Sequence, residues 1–482
     1  SDINPDQFWL KNNSTNETRK LHNFLWLNLI DRKNDASVIK KIISVWIDRN
    51  KKYKPIVWES SVLSKRIISW ILNANIILTG PNIIFKNDFL ESIVVQSNHL
   101  KKNFKYETNP SKRIESLTAI LLTGLVFQEY LENFEYSINE LRKLTEEFFD
   151  EDGFPLSRNP NDVLKFLKYF ILIKECTKDA HQYIPDFLEE IIIKNLSCLK
   201  KITTPDNKIP LFNGGTEIDL SHFYKYLLNL NFKIKAIKGS VGGLEIIKNK
   251  KNTVYLDIGD PPSKNYSASY QSGPLSFEYY VDNKKIITNC GYGYNISKKA
   301  TLLSRLTSAQ STLCVNDVSV VRFERNKLLN SVFGNSLKDT FEVTQKDTMS
   351  NELEAKASGC HDAYINNYGY IHKREIKINK KCGDLFGFDE LIRKRENTII
   401  KYNIFFHLYP GVSAFKTIGG NNILIQINKN KSLIFSSREH KLSIEKSIFL
   451  GGNKILNNLC IIISGKLNNE SRIINWEIKK NI

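Results

Sequence analysis

The sequence predicts an α+β protein of two domains: a helical domain over residues 1–235 and a large antiparallel β-sandwich over 236–482. Two changes of pattern carry this reading. From about residue 19 to 235 apolar residues recur at helical spacing, and after Lys235 they alternate with period two. Short breakers punctuate both halves, so helices follow one another as antiparallel hairpins and strands as a meander.

The helical half is read element by element. In "VIKKIISVWID" Val38, Ile42, Val45 and Trp46 share a face. In "VLSKRIISWIL" Val62, Arg66, Ser69 and Trp70 mark one side, and Ile67, Ile68, Ile71 and Leu72 the other. Similar patterns cover 89–104, 114–131, 138–149, 163–173, 187–199 and 223–230, separated by "TGPN", "TNPS", "DEDGFP", "TTPDNKIP" and "FNGG". Asp35 and Asp162 are placed as N-caps. About nine helices with short loops give a bundle, a solenoid or a toroid.

In the second half, "PLSFEYYV" sends Leu275, Phe277, Tyr279 and Val281 one way and Ser276, Glu278 and Tyr280 the other. "DNKK" then turns the chain into "IITNC". Further hairpins in "LEIIKNKKNTVYLDIG", "DAYINNYGYIHKREIKI" and "NILIQINKNKSLIFSS" extend the sandwich.

Composition narrows the function classes. With 41% hydrophobic and 25% charged residues the chain buries substantial cores. Its formal charge of +18 favours an acidic partner, although a Lys-, Asn- and Ile-rich composition explains part of it. No nucleic-acid recognition motif accompanies the charge, so nucleic acid is not the expected partner. Seven scattered cysteines without a CxxC read as free thiols. The longest apolar run, Leu117 to Phe127, is too short to span a bilayer, and no signal peptide is visible before the helical pattern.

The stretches "YLDIGDPP", "GPLSFEYYVDNKKIITNCG" and "SRLTSAQSTLCVND", following helices, resemble the heparinase II/III family of polysaccharide lyases. "LHNFLWL", "SKRIESLTAILLTGLVF", "DEDGFPLSRNP", "HDAY", "GYIHKREI" and "FFHLYPGVSA" extend the resemblance along nearly the whole chain, as a divergent, alphaproteobacterial-like member. The resemblance implies an incomplete (α/α) toroid before the sandwich, with the substrate cleft between them. It also implies β-eliminative cleavage of an acidic, uronic-acid-containing polysaccharide in the bacterial cell envelope or periplasm, with the cytoplasm as the alternative. Such chemistry needs a base for the C5 proton, an acid for the departing O4, and neutralisation of the carboxylate.

Against the family's pattern, Ser269 and Gln271 stand where one or two His residues are usual, Asn289 where an Asp is common, and Gln310 where a further His is common. Asn161 and Asp162 follow Pro160 where the family often has Tyr or Tyr-His, and the toroid Asn falls near Lys112 or Arg113. Amides neither accept a proton near neutral pH nor ligate zinc well, so the family-type structural zinc is not expected, nor any other cofactor.

The remaining candidates for proton transfer are Tyr270, with Arg305 as the cation lowering its pKa, and His407 with Tyr409, two apart on a strand. Arg158 and Asn159, with Gln271 and Gln310, are the candidate substrate-binding groups. Each has a structural alternative: an ion pair, a sheet-stabilising aromatic, or loop and cap chemistry. Tyr292 and Tyr294 are candidate sugar-stacking rings, His361, His372, Asn98 and His99 read as structural, and Glu278 as a solvated face residue. Two functions follow: a lyase with a rearranged proton-transfer set, or a polyanionic-glycan-binding envelope protein that kept the fold and lost the catalytic histidines.

Overall fold

The computed structural model describes residues 9, 14–30, 35–324, 326, 336–396, 399–438 and 440–481. The chain divides into two compact units, Ser1–Phe148 with Lys165–Ile192, and Phe149–Leu164 with Ile193–Ile482. This differs from a division at residue 235. Segments 149–164 and 193–235 belong with the strands because polar contacts tie them there. Tyr255 Oη donates to the Thr203 carbonyl at 2.9 Å, and Arg158 Nη2 donates to the carboxylate of Asp257, which ends the strand Asn252–Asp257.

The first unit is helical. Helix α1 (Thr15–His22) starts with a Ser14/Glu17 capping box, and α2 spans Ala36–Asn50. Asp35 stands at the N-cap of α2, but its side chain makes no capping bond. Helix α3 (Ser60–Leu72) buries Val62, Arg66, Ser69 and Trp70, and Ile67 and Ile68 besides. The Arg66 guanidinium donates to Gln96 and to the carbonyls of His22 and Val57, and lies 4.2 Å over the Trp46 ring.

The second unit is a two-layer antiparallel sandwich. Its first sheet contains β1 (Leu244–Lys248), β2 (Asn252–Asp257), β3 (Phe277–Val281), β4 (Lys284–Thr288), β10 (Ile400–Leu408), β15 (Leu456–Leu467) and β14 (Lys441–Phe449) in that order, with β5 (Leu313–Val315) pairing β10. The second runs β11 (Ser413–Lys416), β12 (Asn422–Asn428), β13 (Lys431–Ser436), β16 (Arg472–Lys480), β9 (Leu385–Arg393), β8 (Tyr370–Asn379), β7 (Glu354–His361) and β6 (Val343–Ser350). Phe406 of one sheet meets Phe435 and Trp476 of the other, each with ring centroids 4.8 Å apart. The β3–β4 turn has Asp282 and Asn283 both at positive φ, as a two-residue hairpin loop requires.

Strand β3 is buried on both faces, which corrects the expectation of a solvated Glu278. Glu278 accepts from Lys285 Nζ and Thr288 Oγ1, both at 3.0 Å, and from Tyr280 Oη at 3.1 Å. Deeper in the sandwich His361 meets His372 at 3.1 Å, and His372 meets Asp389 at 2.7 Å. Asp389 also takes a forked pair of bonds from Arg374 and one from Trp476 Nε1. Burial opposes the Asp389 charge, but Arg374 and His372 together outweigh it and hold the carboxyl far below the usual range.

Candidate active site

The motifs singled out in the sequence meet on one short loop of the second unit, Phe212–Glu217, "FNGGTE". Asn213 Nδ2 donates to Asp257 at 3.1 Å, and its carbonyl accepts from Ser269 Oγ at 3.3 Å. Gly214 N–H donates to Gln271 Oε1 at 3.0 Å, and the Gly215 carbonyl accepts the Tyr292 N–H at 3.0 Å. Asn161 Nδ2 donates to Thr216 Oγ1 at 2.8 Å, and its Oδ1 accepts the Thr216 N–H at 3.3 Å. Gly214 has φ +105°, and a Cβ there would stand 2.6 Å from Asn159 Nδ2 and 2.7 Å from Ser269 Cβ. Only glycine lets the backbone run this close.

At the loop's end, Tyr409 Oη donates to Glu217 Oε1 at 2.7 Å and accepts from Lys208 Nζ at 3.2 Å. Lys208 also lies 3.3 Å from Glu217 and 3.5 Å from Asp206. Tyr409, Lys208 and Glu217 are all partly exposed. Burial, then the bond to Glu217, pushes the Tyr409 phenol up to about 12, with Lys208 opposing. Burial works against the Lys208 charge, but Glu217 and Tyr409 outweigh it and raise its pKa. The phenol is thus a protonated acid with a carboxylate and an ammonium at its oxygen, which is an arrangement for moving a proton. Tyr292 and Tyr294 stack at 6.2 Å with planes 4° apart, Tyr294 being exposed.

The other expected site residues are buried and bonded within the protein. Tyr270 is fully buried, and burial drives its phenol well above the ordinary value instead of below it. Arg305 does not face that phenol. Its Nε donates to the Tyr270 carbonyl at 2.7 Å, its Nη2 to the Ser267 carbonyl at 2.9 Å, and its plane lies 3.7 Å over the Phe323 ring. His407 is 4% exposed, with Nδ1 against Ser447 Oγ and Nε2 against the Ser308 carbonyl. Burial lowers its pKa to about 4, so the ring is neutral and both nitrogens are occupied. Tyr409 lies one residue beyond β10.

Arg158, expected to bind substrate, is a latch. It sits at φ +57° and gives its Nε to the Gly242 carbonyl, its Nη1 to those of Gly259 and Asp260, and its Nη2 to the Asp257 carboxylate. Asn159 is the cap of the helix that begins at Pro160: its Oδ1 accepts the Asn161 N–H at 3.0 Å, while Asp162, expected to be the cap, accepts from Ser157 Oγ within the first turn. Gln271 and Gln310 are buried and converge on one acceptor, the Ser304 carbonyl, at 2.6 and 2.8 Å. Gln271 Nε2 also reaches the Gly291 carbonyl at 3.2 Å, and Asn289 Oδ1 accepts the Ser311 N–H at 2.9 Å. Among the described residues no group of three or more His, Cys, Asp and Glu is arranged to hold a metal ion.

Lys208, Glu217, Asn213 and Thr216 were not singled out by sequence. For Asn213 and Thr216 the signal was the adjacent glycines of "FNGG", which mark a close backbone approach as well as a helix break, while Lys208 and Glu217 carried none.

Residues 234–477 match the family model described as "Heparinase II/III-like, C-terminal". The chain belongs to the heparinase II/III-like family. Solved structures of similar fold include the heparan sulfate lyase HepC from Pedobacter heparinus, 15% identical, with TM-score 0.69 over 100% of this chain and 78% of that one. A heparinase III, 14% identical, matches with TM-score 0.75 over 99% of this chain and 79% of its own. A heparinase III described as the BT4657 gene product, 14% identical, matches with TM-score 0.74 over 100% and 81%. No curated protein matches the chain in sequence. The heparinase-like fold is therefore present, and Gln271, Gln310 and Asn289 are hydrogen-bonded amides within it. No helix among the described residues is long and apolar enough to cross a membrane.

Proposed function

We propose that this heparinase II/III-like protein is a lyase that cleaves an acidic, uronic-acid-containing polysaccharide by β-elimination, with Tyr409 carrying the proton transfers. The observation behind the reading is the Tyr409 hydroxyl held between Glu217 at 2.7 Å and Lys208 at 3.2 Å on a partly exposed surface. Tyr409 Oη takes the C5 proton as its own phenolic proton passes to Glu217. The C4–O4 bond then breaks as the C4=C5 double bond forms, and O4 leaves with the proton from Tyr409, which recovers one from Glu217. Lys208 supplies positive charge to the developing enolate. The expected compartment is the cell envelope or periplasm, which cell fractionation tests.

Incubation with heparan sulfate, hyaluronan, alginate and polygalacturonate, followed by the ultraviolet absorbance of the unsaturated product, tests the reading. Tyr409→Phe is expected to lower the rate about 10²- to 10⁴-fold while leaving polymer binding in place. A variant that keeps more than a tenth of the wild-type rate refutes the role of Tyr409.

A second reading, a polyanionic-glycan-binding protein without turnover, is favoured by the amides at 271 and 310 and by the occupied ring of His407. Binding of these polymers with no rise in absorbance decides for it.

A further inference from the structure

The outward face of the second sheet carries a second candidate site. Along β9, Phe386 and Phe388 alternate with buried Leu385, Gly387 and Asp389, so both rings point away from the sandwich core and are half-buried. The register places Phe386 between Lys377 of β8 and Glu477 of β16, and Phe388 between Glu375 and Asn475. The ammonium groups of Lys377 and Lys479 lie 5.7 and 5.5 Å from the centre of the Phe386 ring. Beside the rings is a recess of about 350 Å³, bordered by Ser436, Asn475 and the exposed Arg438.

Two partly exposed aromatic rings side by side on the outward face of a sheet call for a reason, since such positions are ordinarily polar. Here the polar neighbours supply cations above one ring and hydroxyl and amide groups at the edge. Flat apolar rings match the C–H faces of pyranoses, the hydroxyl and amide groups match sugar hydroxyls, and the ammonium and guanidinium groups match carboxylate or sulfate substituents. The chemistry common to these features is that of an acidic sugar chain. Glu477 and Glu375 are the acidic neighbours of the rings in register, and Glu354 lies 3.5 Å from Lys377, so Arg438 is the principal cation at the recess. Glu477 is 2.8 Å from Lys479, and Glu375 is 3.6 Å from Lys356, so each is paired with a lysine.

We propose that this face is an accessory binding site for acidic polysaccharide, separate from the Tyr409 loop, which holds the polymer while the loop acts on it. It rests on the reading of the protein as directed at acidic glycans, but not on whether that reading ends in cleavage.

The test uses the whole protein, with heparan sulfate, hyaluronan, alginate and polygalacturonate as immobilised polymers and each as a tetrasaccharide in solution. The double variant Phe386→Ser/Phe388→Ser is expected to lose about tenfold in affinity for the bound polymer. Its turnover of the tetrasaccharide stays at the wild-type level. Lys377→Gln/Lys479→Gln keeps the rings and sets no new carboxylate against Glu354 or Glu477, and it is expected to show the same loss, with added salt weakening the wild-type binding towards it. Polymer affinity unchanged in both double variants overturns the proposal, as does a wild-type protein that binds none of the four polymers. Product absorbance reports on the lyase reading separately. Wild-type binding that both variants lose, with no absorbance rise, upholds the accessory site and removes the lyase.

Discussion

Replacing Arg158 separates a latch from a ligand group. Its guanidinium makes four contacts: to the carbonyls of Gly242 at 3.0 Å, Gly259 at 3.1 Å and Asp260 at 2.9 Å, and to the Asp257 carboxylate. Burial opposes the charge, but Asp257 together with Tyr270 and Asp260 outweighs it, and the pKa lies above the ordinary arginine value. In Arg158→Ala, Asp257 keeps only the neutral donors Asn213 Nδ2 and Gly259 N–H, each at 3.1 Å. Removing one member of such a buried pair costs about 3–5 kcal/mol. Arg158→Lys keeps the charge but has a single nitrogen. At least two of the four contacts are lost, at about 1 kcal/mol or more each, so the cost is about 2–3 kcal/mol. Urea unfolding followed by circular dichroism should rank wild type above Lys above Ala, with the Michaelis constant for polymer little changed in the lysine variant. A lysine variant as stable as wild type but with a tenfold higher Michaelis constant would mean that Arg158 contacts substrate, and the latch argument would fail.

Three further outcomes are expected. Gly214→Ala forces a Cβ into Asn159 and Ser269 at φ +105°, so stability falls by about 1–3 kcal/mol and product formation drops with it; an unaltered unfolding midpoint would contradict the close-approach argument. Gln271→His costs about 1–2 kcal/mol, because neutral imidazole offers one donor and one acceptor where the amide serves Gly214, Gly291 and Ser304; thermal unfolding checks it, and a gain in stability would oppose it. His407, with a pKa of about 4 when folded against 6.5 when free, binds its proton only in the unfolded chain between those values, so stability is lost as pH falls from 6.5 towards 4. Compared with His407→Gln, the wild type should lose about 2.5 kcal/mol more between pH 7 and pH 4.5, and equal losses would show that the ring does not titrate this way.

The fold was legible because its signals are local and repeated. The period-two run of "PLSFEYYV" and its "DNKK" turn are the β3–β4 hairpin, and "TNPS" starts a helix with Asn109 as its cap and Pro110 in its first turn. Burial on both faces of β3 was not legible, because alternation reports one packed face and Glu278 is silent about the Lys285 that meets it. The site was harder for the same reason. Tyr409 and Glu217 are 192 residues apart in sequence, and a lone Glu after "FNGGT" carries no pattern. Tyr270, Arg305 and His407 were conspicuous as residue types, yet their side chains are 0–4% exposed, and residue type alone does not report burial. Gln271 and Gln310 were noticed as replacements, while their shared acceptor, the Ser304 carbonyl, follows only from the folded backbone.

The Asp389 cluster has a consequence for how the sandwich assembles. Arg374 pairs directly across from Asp389 between β8 and β9, and Trp476 reaches the same carboxylate from β16 on the other side. Sliding β8 by one residue against β9 would turn Arg374 and His372 to the solvent face and leave Asp389 buried without its cation. That penalty falls on the misaligned pairing and spares the correct one. A sheet of eight strands therefore carries at its centre an electrostatic check on its own alignment, which apolar alternation along β8 and β9 could not supply alone.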